Sequence, residues 1–309
     1  MTAAEDAENA EKPPFRAGFV TVIGRPNVGK STLVNALVGQ KVAIVSDKPQ
    51  TTRNRILAVV NRPGGQVVLF DTPGIHKPQH RMNERMVDAA VRSLDQVDLV
   101  AWVIDIGEGY GPGERYVRET LRRSKKPVLL VINKIDTTPR PRILPAIEQY
   151  RQFLDFVEIV PVSALTGENV ELLAERFVAH LPVGERLYPE DYLTDQPERF
   201  FVAEMVREQI LRQTREEIPY STGVVIDSFK EGEPVVRIEA SILAERDTQK
   251  AILIGKGGAM LKSIGTAARR EIEAFLGTKV YLGLFVKVRE RWREDPAVLE
   301  EMGLGKRAD

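Results

Sequence analysis

Five short segments of this chain bring glycine, lysine, hydroxyl and carboxylate residues together at spacings that suit a nucleoside triphosphate. The first, Gly24-Arg25-Pro26-Asn27-Val28-Gly29-Lys30-Ser31 with Thr32 behind it, fits the phosphate-loop pattern. Its glycines let backbone N–H groups converge on phosphate oxygens, the helix that follows adds partial positive charge, and Lys30 carries a full charge to the β- and γ-phosphates. The Ser31 hydroxyl is a candidate magnesium ligand. Asp71-Thr72-Pro73-Gly74 directly follows a β-rich run. An aspartate at the carboxyl end of a strand can hold the magnesium shell, and the Gly74 N–H can contact the γ-phosphate and sense its loss. Between these segments, Pro49-Gln50-Thr51-Thr52-Arg53 supplies two threonines that could complete the magnesium coordination, of which Thr52 is favoured over Thr51.

The base is selected by Asn133-Lys134-Ile135-Asp136. The Asp136 carboxylate presents two acceptors to the N1 and 2-amino donors of guanine, whereas adenine would leave it unsatisfied. Lys134 can lay its stem over the ring, and Asn133 can tie the loops together. Ser163-Ala164-Leu165, just past the next strand, can offer a backbone N–H to the guanine carbonyl.

Such groups need a scaffold, and the residues between them describe one. At about 150 residues per domain, 309 residues predict two domains. With 44 basic and 44 acidic residues the net charge is zero, so any argument for a polyanionic partner must rest on local patches. The chain has no cysteine, which excludes disulfides, thiol nucleophiles and cysteine-bound metals and fits a reducing cytoplasm. No apolar run approaches the roughly 20 residues of a membrane span. Residues 1–15 carry several acidic residues and no apolar core, which predicts a disordered acidic leader.

Over 16–181, short β-branched runs (Phe19 to Ile23, Ile56 to Val60, Val67 to Phe70, Leu99 to Ile104, Val128 to Ile132, Val157 to Val160) alternate with stretches of helical periodicity. This predicts an α/β domain with a six-stranded, mostly parallel sheet. Only Asn61 to Gln66 separates the second and third runs, too little for a crossover helix, so they form an antiparallel hairpin. Residues 182–198, interrupted by prolines, read as a linker. The order helix, strand, strand, helix, glycine loop, helix, strand follows over 199–309, a smaller α+β domain with a tail.

All five nucleotide segments in this order resemble the translation-factor-related branch of GTPases. The resemblance implies a Ras-like fold that binds GTP or GDP with magnesium and hydrolyses GTP, with catalytic roles for Lys30, Asn27, Thr52 and Gly74. One position departs from the Ras-like pattern: the glutamine that orients the attacking water is replaced by Ile75, which predicts slow intrinsic turnover. GTPases of similar sequence use an asparagine at the position of Asn27 with a potassium ion, so potassium is a further candidate cofactor. His76 and His80 read as surface residues rather than general bases.

In the second domain, Ile254-Gly255-Lys256-Gly257-Gly258 between two helical stretches matches the G-x-x-G loop of KH domains. Lys256, Lys262, Arg269 and Arg270 are candidate phosphate contacts. Ten basic against three acidic residues fall between Lys250 and Arg293, a concentrated patch in a neutral chain. Tyr281 and Phe285 alternate along the last strand and could touch bases, with core packing the favoured reading; Ile264, Ala267 and Ala274 read as helix core, and the segment from Trp292 to Leu304 as a terminal helix. A GTPase domain followed by one type II KH domain is similar to the Era family, the bacterial ribosome-assembly GTPases. The resemblance implies binding to the 3′ end of 16S ribosomal RNA, a role in maturing the small subunit, nucleotide-dependent RNA affinity, and a cytoplasmic location with peripheral association with the inner membrane. No protein partner is deducible.

Overall fold

The computed structural model describes residues 14–75, 81–232 and 234–304. The leader up to residue 13, His76, His80 and the last five residues lie outside the described residues. Strands β1 (Arg16–Ile23), β2 (Ile56–Arg62), β3 (Gly65–Asp71), β4 (Leu99–Asp105), β5 (Val128–Asn133) and β6 (Phe156–Pro161) form one sheet in the order β2-β3-β1-β4-β5-β6. All neighbours are parallel except β2, which pairs antiparallel with β3. The hairpin is longer than its apolar runs suggest. Asn61, Arg62, Gly65 and Gln66 join the ladder, and the turn tightens to Pro63-Gly64, with Gly64 at φ +80°.

Helices α1 (Lys30–Val38) and α5 (Val170–His180) pack on one face, burying Leu33, Leu37, Leu173 and Phe177. On the other face, α2 (Arg81–Ser93), α3 (Pro112–Ser124) and α4 (Ile143–Arg151) bury Ala90, Val117, Leu121 and Tyr150. Because both faces are covered, β4 is buried at every residue, and its sequence shows an unbroken apolar run instead of alternation. The strand order reverses at β1, and the loops after β1, β3 and β5 meet at the carboxyl ends of the strands, where open α/β sheets bind ligands.

The second unit opens with α6 (Glu198–Gln213) and a single turn, α7 (Ile218–Ser221), which the sequence pattern does not announce. Strands β7 (Gly223–Lys230), β8 (Val235–Ala244) and β9 (Lys279–Val288) form a sheet with β8 central, antiparallel to β7 and parallel to β9. Helices α8 (Asp247–Ile254) and α9 (Ala259–Leu276) join α6 over it. On α9 the buried positions are Ile264, Ala268 and Ile272; Ala274 is exposed, so the core stripe lies a fraction of a turn away from the expected one. Tyr281 and Phe285 are each 52% exposed, which overturns their reading as packing residues: alternation in β9 sends Val280 and Val286 to the helices and the two rings to the open face. After β9, Trp292 is fully buried and α10 (Pro296–Glu301) is the last helix among the described residues.

The segment between the units is hydrogen-bonded rather than free-running. Gln66, fully buried, accepts the N–H groups of Leu187 and Tyr188 at 2.8 and 2.9 Å. The Val59 N–H donates to the Leu193 carbonyl at 2.9 Å, and Ala58 bridges Thr194, so this segment covers the open edge of β2.

Candidate functional site

The phosphate loop runs from the end of β1 into α1. Its tight path needs glycine at two points. A Cβ on Gly24 would stand 2.3 Å from the Val103 carbonyl oxygen, and one on Gly29, at φ +92°, would stand 2.3 Å from Asn133 Nδ2. Asn27 also takes a left-handed conformation, at φ +67°. Lys30 is buried and folds back over the loop, donating from Nζ to the Gly24 carbonyl at 3.1 Å and the Arg25 carbonyl at 2.8 Å. Burial lowers its pKa to about 8 against the pull of Asp71 and Glu114, which leaves an ammonium at neutral pH whose hydrogen bonds go to two carbonyls.

Three oxygens converge beside it. Ser31 Oγ lies 2.6 Å from Thr52 Oγ1 and donates to Asp71 Oδ2 at 2.8 Å, while Thr52 Oγ1 is 3.4 Å from the same carboxylate oxygen. Thr51 turns elsewhere, its hydroxyl donating to the Lys48 carbonyl. Asp71 Oδ1 is buried without a partner, and burial, opposed by Ser31, Lys30 and Thr52, raises the Asp71 carboxyl to about pH 6. An orphaned carboxylate oxygen next to two hydroxyls fits a hard divalent cation. Among the described residues no three acidic or histidine side chains cluster. The surrounding cavity, about 50 Å³, is lined by Pro26, Asn27, Lys30, Ser31, Gln50, Thr52 and Gly74 among others.

Thr72 fixes the turn after β3 by donating to the Val22 carbonyl at 2.7 Å. Gly74 lies against the phosphate loop, where a Cβ would meet Pro26 N at 2.7 Å. The next side chain, Ile75, is 1% exposed and packed into the sheet core, so it does not take up the position of a water-orienting glutamine. Asn27 Nδ2 donates to the Asp47 carbonyl at 2.7 Å, which places the Asn27 amide beside a main-chain oxygen of the loop that carries Thr52.

The base segments interlock with this loop. Asn133, at the end of β5, donates to the Val28 carbonyl at 2.8 Å and accepts the Ala164 N–H at 3.0 Å. Lys134, at φ +64°, reaches the Asn27 carbonyl at 2.8 Å and pairs with Asp105 at 2.7 Å. Asp136 accepts from Ser163 Oγ at 2.5 Å, which orients one carboxylate oxygen, and Leu165 stands 80% exposed at the rim. Asp105, unmarked by any motif, is a further member of the site.

The glycine loop joins α8 to α9 with Gly255, Gly257 and Gly258 all at positive φ; a Cβ on Gly255 would meet Met260 Cβ at 2.8 Å, whereas Gly257 faces open space. Ile254 is half-buried under the loop, and Lys256, Lys262, Arg269 and Arg270 are exposed. Lys262 and Arg269, seven residues apart, share one face of α9. Of the other basic residues in the patch, Lys287 pairs with Asp227 and Arg289 with Asp295.

The chain from 41 to 54, which contains Thr52, is fastened to the second unit. Arg53 is 2% exposed; it donates to the carbonyls of Thr222 at 2.7 Å and Pro219 at 3.4 Å and lies over the Trp292 ring. Burial, with the nearby Arg207 charge, lowers its pKa to about 9. Arg207 of α6 donates to the Thr51 carbonyl, Lys48 donates to the carbonyls of Leu211 and Thr214, and Lys41 pairs with Glu208 and Glu271. Met82 and Met86 of α2 pack with Trp292, Val298 and Leu299. None of these contacts follows from local sequence.

Comparison with known proteins agrees with this geometry. Residues 19–134 match a family model described as a 50S ribosome-binding GTPase, and residues 217–293 match one for the KH domain. The GTPase Era of Heliobacterium modesticaldum is 51% identical over 298 residues, covering 96% of this chain and 99% of its own. That of Geobacter metallireducens is 52% identical over 292 residues, covering 94% and 98%. The chain belongs to the Era family of GTPases. Two crystal structures of Era superpose with a TM-score of 0.91 at 42% identity over 94% of this chain: one in complex with MgGDPNP and nucleotides 1506–1542 of 16S ribosomal RNA, which is covered over 99% of its length, and a singly substituted Aquifex aeolicus Era bound to GDP and AlF4−, which is covered completely. Like other members of the Era family, this chain is a GTP-hydrolysing enzyme that pairs a Ras-like domain with a KH domain.

Proposed function

We propose that this Era-family chain binds the 3′ region of 16S ribosomal RNA through its KH domain, acts in maturation of the small ribosomal subunit, and changes its RNA affinity with the bound nucleotide. The observation that carries the reading is the direct fastening of the Thr52 segment to the KH unit through Arg53 and Arg207, on a chain that also presents an open G-x-x-G loop. A related Era binds a GTP analogue with magnesium and this RNA region. In the working site, Ser31, Thr52 and Asp71 would hold magnesium, which would supply positive charge against the phosphates. Lys30 and the loop N–H groups hold the phosphates, Gly74 contacts the γ-phosphate, and Asp136 reads guanine. When a γ-phosphate orders Thr52, the adjoining Thr51 carbonyl and Arg53 side chain move with it and shift their partners in the KH unit. The domain limits 16–181 and 199–309, with the connecting segment between them, fit this division of labour. The same family resemblance supports a cytoplasmic location with peripheral membrane contact; no described helix is long and apolar enough to cross a membrane.

The RNA assignment is tested with Gly257→Asp. The side chain has room, yet the left-handed backbone costs about 1 kcal/mol and the carboxylate opposes the phosphates. Affinity for a 3′-end oligonucleotide should fall at least tenfold while GTP turnover without RNA persists. Affinity equal to wild type, or wild-type binding that does not distinguish the 3′ end from a scrambled strand, contradicts the assignment.

With Ile75 in place of the water-orienting glutamine, hydrolysis gains from charge placed between the β- and γ-phosphates, and Asn27, whose amide nitrogen is anchored on the Asp47 carbonyl, has its Oδ1 left to hold a monovalent cation there. Turnover should be several-fold faster in potassium than in sodium at equal ionic strength. Equal rates reject this role for Asn27.

A further inference from the structure

Arg25 belongs to the phosphate loop, yet its side chain is absent from the phosphate cavity. It runs instead to the start of α3, where Nε donates to Glu114 Oε1 at 2.5 Å and a terminal nitrogen donates to Glu108 Oε2 at 2.5 Å. The two carboxylates differ in kind. The Glu108 side chain is 46% exposed and that of Glu114 only 1%, with Trp102 and Tyr150 close to it. A carboxylate taken this far out of water is expensive, and a buried ion pair repays the cost poorly as a source of stability. Burial raises the Glu114 pKa, with Arg25 opposing. Burial works against the Arg25 charge too, but the hydrogen bond and charge of Glu114 outweigh it and leave the guanidinium more firmly protonated. The surrounding backbone is shaped around this side chain: a Cβ on Gly113 would come within 2.2 Å of Arg25 Cδ.

The other end of Arg25 meets the chemistry, since its carbonyl accepts from Lys30 Nζ at 2.8 Å. A buried anion, a guanidinium, a loop carbonyl and the phosphate-binding ammonium therefore form one continuous chain. We propose that Glu114 is a positioning residue for GTP hydrolysis, holding Arg25 so that its carbonyl sets where the Lys30 ammonium stands against the phosphates. This rests on the assignment of Lys30 as the phosphate lysine. Glu114 touches no substrate; it acts through Arg25.

The test compares kcat and KM for GTP in the full-length protein, its Glu114→Gln, Arg25→Gln and doubly substituted forms, and Lys30→Ala, with rates normalised to nucleotide-bound protein and thermal unfolding recorded for each. Glu114→Gln keeps the shape and removes the charge. It should lower kcat about tenfold, the scale on which sub-ångström misplacement acts, with a much smaller change in KM. Arg25→Gln should lose a similar amount, and the double variant should be no slower than the slower single one, because both substitutions break the same link. A purely structural Glu114 would lower the unfolding midpoint and leave kcat per bound nucleotide unchanged, which overturns the proposal, as do losses that multiply in the double variant. If Glu114→Gln does not fold, Arg25→Gln decides alone: an unchanged kcat overturns the proposal and a tenfold loss supports it. Lys30→Ala separates the two levels. Full activity there defeats the lysine assignment itself, whereas an inactive Lys30→Ala beside an unaffected Glu114→Gln defeats only the positioning role.

Discussion

Replacing Asp136 with asparagine is expected to weaken GTP binding by at least two orders of magnitude and to create affinity for xanthosine triphosphate. The carboxylate accepts two guanine donors, each charged hydrogen bond contributing about 1.5–3 kcal/mol; the substitution removes one, weakens the other to a neutral bond and leaves a buried donor unsatisfied, which together amount to about 3–6 kcal/mol. The substituted amide presents a donor where guanine also presents one, and xanthine, with a carbonyl at that edge, restores the match. Asp136 is already oriented by Ser163 at 2.5 Å, so the discrimination is built before the base arrives. Calorimetry with GTP, ATP and xanthosine triphosphate on both proteins measures it. Wild-type protein that binds ATP as tightly as GTP would point to a nucleotide enzyme of another class.

Lys30→Ala is expected to lower phosphate release at saturating GTP by about 10²–10³-fold, the scale set by removing one preorganised charge donor in a water-poor site. The lysine suits that work. Its ammonium stands buried with two carbonyl partners, and burial brings its pKa down to about 8 despite Asp71 and Glu114, so a triphosphate adds a directly contacting counter-charge. Sub-stoichiometric phosphate release measured over many minutes gives the rate. Turnover close to wild type would show that hydrolysis does not depend on Lys30 and would overturn its assignment as the phosphate lysine.

The sheet and both loops were legible because their signals are local. Unbroken apolar runs mark strands covered on both faces, and glycines mark places where backbone must pass close to a phosphate or another chain segment. The Thr52 position was legible as one of two neighbours, and the structure brings Thr52 to Ser31 and Asp71 while Thr51 faces Lys48. What sequence hid depends on residues far apart in the chain. Arg53 meets Thr222, Arg207 meets Thr51, and Arg25 meets Glu114. Each joins a motif segment to a residue far along the chain that no motif marks. The same holds for residues 187–194 along β2: prolines announce a break in periodicity but not the Gln66 and Val59 hydrogen bonds that anchor the segment. Tyr281 and Phe285 went astray for a different reason. Alternation fixes that they share a face, and only the helices packed on the opposite side decide that this face is open.

Coupling between the two units is the claim on which the functional reading turns, and the affinity of the full-length protein for a 3′-end strand of 16S ribosomal RNA, compared between GDP and a non-hydrolysable GTP analogue, tests it most directly. The Arg53 and Arg207 links predict tighter binding with the analogue, by about 5- to 150-fold for a coupling of ordinary strength. The same affinity in both nucleotide states would contradict the account.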